Sequence, residues 1–274
     1  MKTFIFIFII LLIIFIFLKL KLNLKVKWKT FFKKGFCPKR GTFGTFCFTG
    51  PQGKGKTYSL AEYVFDNYCN LVVYSNVHFN VEGINYFDGF NELLLIRDKL
   101  DNNEIELDGK QLVIVYDEIF NELVRGHKLS SDIINFLSQM RKRKIIFLTT
   151  CQDWSDLPIQ FRHLCRYQID CHMIPLIFTG ILCKVFHDAE NMKWSNEDQD
   201  FIAPIVSTTI SKTRKLVSKF YDTMELIKIG ANRLPTDLPR NIDTEFWNDI
   251  NINDIDTSSP GYVKEDGVEV SNDD

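Results

Sequence analysis

The run Gly50-Pro51-Gln52-Gly53-Lys54-Gly55-Lys56-Thr57 fits the pattern G-x-x-x-x-G-K-[ST]. A chain that carries it in working form must place it between a buried strand and a helix, because the loop cradles phosphate with backbone N–H groups. Glycine lets those groups turn inward and come close. Lys56 would reach the β- and γ-phosphates of ATP, and the Thr57 hydroxyl would ligate Mg2+. A helix opening near Gly55 would aim its positive end at the same phosphates. Residues 50–57, with Tyr58 next in line, are therefore the expected nucleotide-binding segment. The flanks agree. Gly44-Thr45-Phe46-Cys47-Phe48-Thr49 reads as a short buried strand, and apolar residues at helical spacing follow over 58–65. With glycine near 7% of residues, the pattern arises by chance in about one chain in a hundred of this length. The bland alternative is a glycine-rich turn with a lysine.

A second signature lies about 60 residues on. Gln111-Leu112-Val113-Ile114-Val115-Tyr116-Asp117-Glu118 is a continuous apolar run closed by two carboxylates. Such runs suit parallel strands buried on both faces, and α/β sheets bind ligands at the carboxyl ends of their strands. Asp117 would hold Mg2+, directly or through water. Glu118 would orient and deprotonate an attacking water. The alternative is a strand end capped by solvated acids.

The next expected elements are a helix over 131–143 and a strand over 144–150 that leads to Cys151-Gln152. If this strand lies between the other two, Gln152 is placed to touch both the water and the γ-phosphate. Arg141-Lys142-Arg143-Lys144 closes the helix, as a solvated end or as a contact to phosphate. Arg162 and Arg166 follow, either of which could reach a neighbouring subunit's nucleotide. Other expected strands cover 71–77 and 166–170, with a helix near 91–100. Residues 181–187 and 205–211 read as strands of a small β extension.

Charge and hydropathy divide the rest. The 274 residues are 45% hydrophobic and 25% charged, which suits one globular domain with extensions. Residues 4–18 are an unbroken Phe/Ile/Leu run, continued by Leu20, Leu22 and Leu24, with Lys19 and Lys21 able to snorkel. A transmembrane anchor over 1–24 is expected. One lysine precedes the run and nine Lys and Arg residues lie within 19–40. That bias puts the C-terminal side in the cytoplasm, where ATP is, and makes the chain a single-pass membrane protein. The basic linker, 25–40, would meet anionic membrane lipid, or serve instead as a nucleic-acid-binding arm. The globular domain is expected over 41–240. Residues 241–274 are acidic and poor in apolar residues, and read as a disordered tail in which Phe246-Trp247 could dock a partner. The seven cysteines include no C-x-x-C and read as reduced thiols. A zinc site from Cys165, Cys171, His172 and Cys183 matches no standard spacing.

The order of these motifs resembles the zonula occludens toxin-like assembly ATPases of filamentous phages, within the FtsK–HerA group of P-loop NTPases. The features that carry the resemblance are the loop, the strand ending in Asp117-Glu118, the strand ending in Gln152, Arg162 and the late Tyr221-Asp222-Thr223, over about 41–225. The resemblance implies an α/β fold: a RecA-like P-loop domain with a mostly parallel sheet, here preceded by one N-terminal transmembrane helix. It also implies a homo-oligomeric ring, Mg-ATP hydrolysis and work on viral DNA at a membrane, with the single-stranded form favoured. Coat or other assembly proteins would be further partners. Lys56 and Thr57 would be the loop residues, Asp117 and Glu118 the carboxylate pair, Gln152 the sensor and Arg162 the arginine finger. One departure concerns direction: many phage homologues carry their span after the ATPase domain, whereas here it comes first, which allows packaging as well as extrusion. The competing functions are a nucleotide-binding membrane scaffold without turnover, and another P-loop enzyme such as a kinase.

Overall fold

The strand that ends in the two carboxylates is buried along its whole length, and the reason is visible on both sides of it. In a computed structural model of the chain, which describes residues 6–10, 12, 42–123, 129–175 and 180–221, every residue of this strand, Gln111–Tyr116, is buried. Val113 and Val115 face one hydrophobic layer; Leu112, Ile114 and Tyr116 face another. Side chains alternate across a strand, so a sheet covered on both faces needs apolar residues at every position.

Among the described residues that strand is β4 of ten. The others are β1 (Gly44–Thr49), β2 (Leu71–Ser75), β3 (Ile84–Tyr86), β5 (Ile146–Cys151), β6 (Cys165–Pro175), β7 (Gly180–Asp188), β8 (Lys193–Ser195), β9 (Asp200–Ile202) and β10 (Ile205–Lys212). The helices are α1 (Lys56–Asn67), α2 (Gly89–Asp101), α3 (Ser131–Ser138), α4 (Ile159–Leu164) and α5 (Lys215–Phe220). Eight strands form one sheet in the order β10-β7-β6-β1-β5-β4-β2-β3. From β6 to β3 the neighbours run parallel; β7 and β10 join antiparallel. The expected mixed α/β fold with a mostly parallel sheet is thus found. Helices α1 and α5 cover one face, where Leu60, Val64, Val217 and Phe220 meet Phe46, Phe48 and Val113. On the other face Leu93, Phe136 and Phe161 meet Cys47, Ile114 and Phe147. Each large side chain buried in this way contributes about 1.5–3 kcal/mol.

Several boundaries differ from the sequence reading, each for a local reason. The residues at 181–187 and 205–211 do not form a separate extension: as β7 and β10 they lengthen the main sheet. β6 runs on to Pro175, so its apolar edge is filled by the antiparallel return. Only β8 and β9 stand apart as a two-stranded ribbon. Helix α3 ends at Ser138 rather than near 143. Lys144 takes a left-handed conformation (φ 56°) and Ile145 N–H donates back to Met140, which closes the turn before β5.

At the N-terminus, residues 6–10 and 12 are helical and exposed. Among the described residues, no helix is long and apolar enough to cross a membrane. The rest of the expected anchor, the basic linker over 25–40, Asp222-Thr223 and the acidic tail lie outside the described residues.

Candidate functional site

The loop's geometry begins with two glycines. Gly50 has φ 136°, and a Cβ there would meet the Cys171 carbonyl at 2.8 Å. Gly55 has φ 86° and forms the left-handed N-cap of α1; a Cβ there would meet Met173 Cε at 2.7 Å. Only glycine satisfies both the conformation and the space. Gly50 N–H donates to the Gln152 carbonyl at 3.2 Å, and Lys54 N–H donates to Pro51 O at 3.3 Å. The loop therefore rises from the sheet edge between β5 and β6, with Pro51, Gln52 and Gly53 exposed and Lys54 half-buried. Lys56 Nζ donates to Pro51 O at 3.2 Å, which holds the ammonium over the loop. The Tyr58 side chain points the other way: it is buried, and its hydroxyl accepts from Arg214 N–H at 2.9 Å.

The two signatures meet. Thr57 Oγ1 donates to Asp117 Oδ2 at 2.8 Å. Thr150, on β5, donates its hydroxyl to Asp117 Oδ1 and accepts from Glu118 N–H at 2.8 Å. β5 lies between β1 and β4, so the threonine on the middle strand bridges to the carboxylate on β4. Asp117 is buried; burial pushes its carboxyl above the ordinary range, and the hydroxyls of Thr150 and Thr57 offset part of that. Glu118 is half-buried, with left-handed backbone (φ 55°, ψ 45°). Thr57 and Asp117 offer two hard oxygen atoms side by side at the start of a helix, a donor set that fits Mg2+.

Gln152 is exposed, immediately past the end of β5 and beside Gly50. Its backbone carbonyl is the group that meets the phosphate loop. Arg162 is placed differently: it is 3% exposed, and its Nη1 donates to both carboxylate oxygens of Asp200 at 3.0 Å. A finger role would require that pair to open. Arg166 Nη1 donates to Phe43 O at 3.0 Å, and its guanidinium stacks over Tyr167. Tyr221 is buried and bridges to Phe79. Burial and the charge of Asp117 both push its hydroxyl's pKa up, which puts this late tyrosine in the electrostatic range of the site.

Three groups had no motif to announce them. Thr150 looked like one more polar strand residue. Asn76, just past β2, hydrogen-bonds both backbone groups of Asp117. Below the loop, Asp170 on β6 accepts from Thr49 Oγ1 and from Gln168 Nε2 at 2.9 Å, and its Oδ2 lies 3.0 Å from His187 Nε2. Burial alone would raise the Asp170 carboxyl; its partners outweigh it and hold the group down at about 2. The cysteines Cys165, Cys171 and Cys183 are buried free thiols. Cys171 and His172 fall on opposite faces of β6, and among the described residues no group of three or more His, Cys, Asp or Glu is arranged to hold a metal.

No family model and no curated sequence relative matches the chain. Solved structures similar to it include the N-terminal domain of zonular occludens toxin from Neisseria meningitidis, at 14% identity and TM-score 0.45, covering 66% of this chain and 100% of that one. Another is the genome packaging NTPase B204 from Sulfolobus turreted icosahedral virus 2 in complex with ATP-gammaS, at 12% identity and TM-score 0.40, covering 62% and 100%. A third is the flagellar accessory protein FlaH from Methanocaldococcus jannaschii, at 14% identity and TM-score 0.37, covering 63% and 90%. The likeness to a zonular occludens toxin domain that the motif order leads one to expect is thus found. At such scores the chemistry has to be argued from the site.

Proposed function

We propose that the chain is a P-loop ATPase that uses Mg-ATP hydrolysis to drive packaging of a viral genome or assembly and extrusion of the virion. The observation that carries the reading is the bonded series Thr57–Asp117–Thr150, which joins the phosphate loop, the Asp117-Glu118 strand end and the strand between them. In this reading the backbone N–H groups of 50–57 and the Lys56 ammonium bind the phosphates. Thr57 and Asp117 would hold Mg2+, which when bound neutralises charge on the β- and γ-phosphates. Glu118 takes the proton of the attacking water. Gln152 orients that water from the end of β5.

The viral role extends the resemblance in motif order. The apolar run over 4–18 serves as a membrane anchor, with the ATPase domain on the cytoplasmic side and the basic segment at anionic lipid. Work on DNA calls for a ring of copies around it, with viral DNA, single-stranded first among the candidates, as the partner that is moved.

The experiment is ATP turnover by the full-length protein in lipid, alone and with single- or double-stranded DNA, beside Glu118→Gln. DNA-stimulated turnover that the variant loses supports the reading and identifies the strand form. Nucleotide binding without turnover in every condition overturns it in favour of a scaffold. Phosphoryl transfer to a metabolite would point to a kinase.

A further inference from the structure

The main-chain ladders stop just short of the carboxylate pair. β2 pairs with β4 as far as Ser75 and Val115, and Asn76 N–H adds one more bond to the Val115 carbonyl at 3.1 Å. β5 pairs with β4 as far as Thr149 and Tyr116. Asp117 therefore lies two residues beyond the last pair on the β2 side and one beyond it on the β5 side. A buried backbone N–H or C=O without a partner is costly, so these groups need another source of hydrogen bonds.

The side chain of Asn76 supplies it. Its Oδ1 accepts from Asp117 N–H at 2.7 Å, and its Nδ2 donates to the Asp117 carbonyl at 3.0 Å. A primary amide offers the donor and acceptor of a peptide group, so Asn76 extends the β2–β4 ladder by a rung made of side chain. From the other side, Thr150 Oγ1 accepts from Glu118 N–H. The carbonyl of Asp117 and the N–H of Glu118 belong to a single peptide group. That one group is gripped by Asn76 on the β2 side and by Thr150 on the β5 side.

The grip coincides with a costly backbone. Glu118 has φ 55° and ψ 45°, a left-handed conformation that is strained for a non-glycine residue. Relief requires φ at Glu118 to change, and a change there that swings the 117–118 peptide turns the Glu118 side chain relative to that of Asp117. Both hydrogen bonds oppose that rotation. We propose that Asn76 and Thr150 are positioning residues which lock the peptide between Asp117 and Glu118, and so fix the relative direction of the two carboxylates that ATP hydrolysis requires. The inference rests on the ATPase reading of the same site.

The test uses full-length protein with Asn76→Leu, Asn76→Asp, Thr150→Val and Thr150→Ser. Binding of a fluorescent ATP analogue, mant-ATP, is measured in EDTA and in Mg2+, and ATP turnover is measured alongside. Asn76→Leu and Thr150→Val should bind mant-ATP in EDTA within about threefold of wild type, since neither residue touches the phosphate loop. Both should lose turnover by about 10–100-fold, the scale seen when a supporting contact behind a site is removed. Asn76→Leu should also lose at least tenfold of the affinity gained on adding Mg2+. Thr150→Ser, which keeps the hydroxyl, should recover most of the turnover. Asn76→Asp keeps the bond from Asp117 N–H, loses the one to its carbonyl and adds a charge, so it should follow Asn76→Leu; it stands in if the leucine variant does not fold. Wild-type turnover and a wild-type Mg2+ effect in both Asn76→Leu and Thr150→Val overturn the proposal. So does an equal loss of binding in EDTA, which marks a merely structural role. If wild type itself turns over no ATP, the ATPase reading fails, while the Mg2+-dependent gain in mant-ATP affinity still decides the positioning claim.

Discussion

Thr57 and Asp117 stand 60 positions apart in the chain and 2.8 Å apart in the fold, hydroxyl to carboxylate. The bond joins the first turn of α1 to the end of β4 across the width of β5. Thr57→Val keeps the shape of the side chain and deletes the oxygen. It should leave nucleotide affinity in EDTA within about threefold and reduce the extra affinity given by Mg2+ by about tenfold or more. Titration calorimetry in both buffers measures the two affinities; an unchanged Mg2+ effect would remove Thr57 from the donor set.

Glu118→Gln tests the proton acceptor alone. The amide keeps the size and the half-buried position but takes no proton at neutral pH. Removal of a general base typically costs about 10²–10⁴ in rate, so turnover should fall by that order while ATP binding persists. Single-turnover kinetics beside equilibrium binding separates the two, and turnover within threefold of wild type would assign the base elsewhere.

Glycine substitutions in the loop should differ by position. Gly53 has φ 72° with nothing within 4 Å of an added Cβ, whereas Gly55 combines φ 86° with Met173 Cε at 2.7 Å and Leu182 Cδ1 at 3.0 Å. Gly53→Ala should cost about 1 kcal/mol from backbone strain alone. Gly55→Ala also displaces the flexible Met173 end and should cost somewhat more, about 1–3 kcal/mol, with weakened ATP binding because the N-cap of α1 shifts. Melting temperatures of the two variants, with and without ATP, check the ranking.

What could be read from the chain was decided by how local the signal is. The loop needs its eight residues and a helix behind it, and β4 needs an unbroken apolar run; both are written consecutively. The place of β5 between them is a condition of the Gln152 reading, and the strand order meets it. Asn76, Thr150 and the Asp170–His187 pair could not be read this way. Asn76 and Thr150 are common polar residues near strand ends and Asp170 is one within β6; each has its role only because another strand runs beside it, as Asn76 meets Asp117 across 41 positions. The assignment of β7 and β10 failed for a related reason. Alternation reveals a strand but says nothing about which sheet edge it joins, and here β7 joins the edge of β6 and β10 the edge of β7.

The Asp170–His187 pair makes stability depend on pH in a defined window. The Asp170 carboxyl, ordinarily near 3.8, is held at about 2, so its contribution is present above 3.8 and lost as pH falls through about 2. Burial lowers the His187 imidazole, but Asp170 and the Ala203 carbonyl outweigh it, so its pKa lies above the usual 6.5. Its contribution is full below 6.5 and is lost as pH rises through that higher value. His187→Gln should therefore cost most stability between about pH 4 and 6.5, by about 1.5–3 kcal/mol for a hydrogen bond to a charged group. The gap to wild type should narrow toward alkaline pH. Urea unfolding at stepped pH measures it; a gap that is constant with pH would show that the pair does not titrate with folding.

Arg162 separates a structural pair from a catalytic one. Its guanidinium is buried and Asp200 is its charge partner at 3.0 Å. Removal of either partner leaves the other charge poorly compensated, at a cost of about 3 kcal/mol, so Arg162→Ala and Asp200→Asn should lower the melting temperature alike. Per folded molecule, both should keep turnover within about threefold of wild type if the pair only braces α4 against β9. An arginine finger behaves otherwise, since its loss costs about 10³–10⁵ in rate and Asp200→Asn, which frees the guanidinium, would spare it. A collapse of turnover in Arg162→Ala but not in Asp200→Asn would assign Arg162 to a neighbour's nucleotide and require the Asp200 contact to open in the ring.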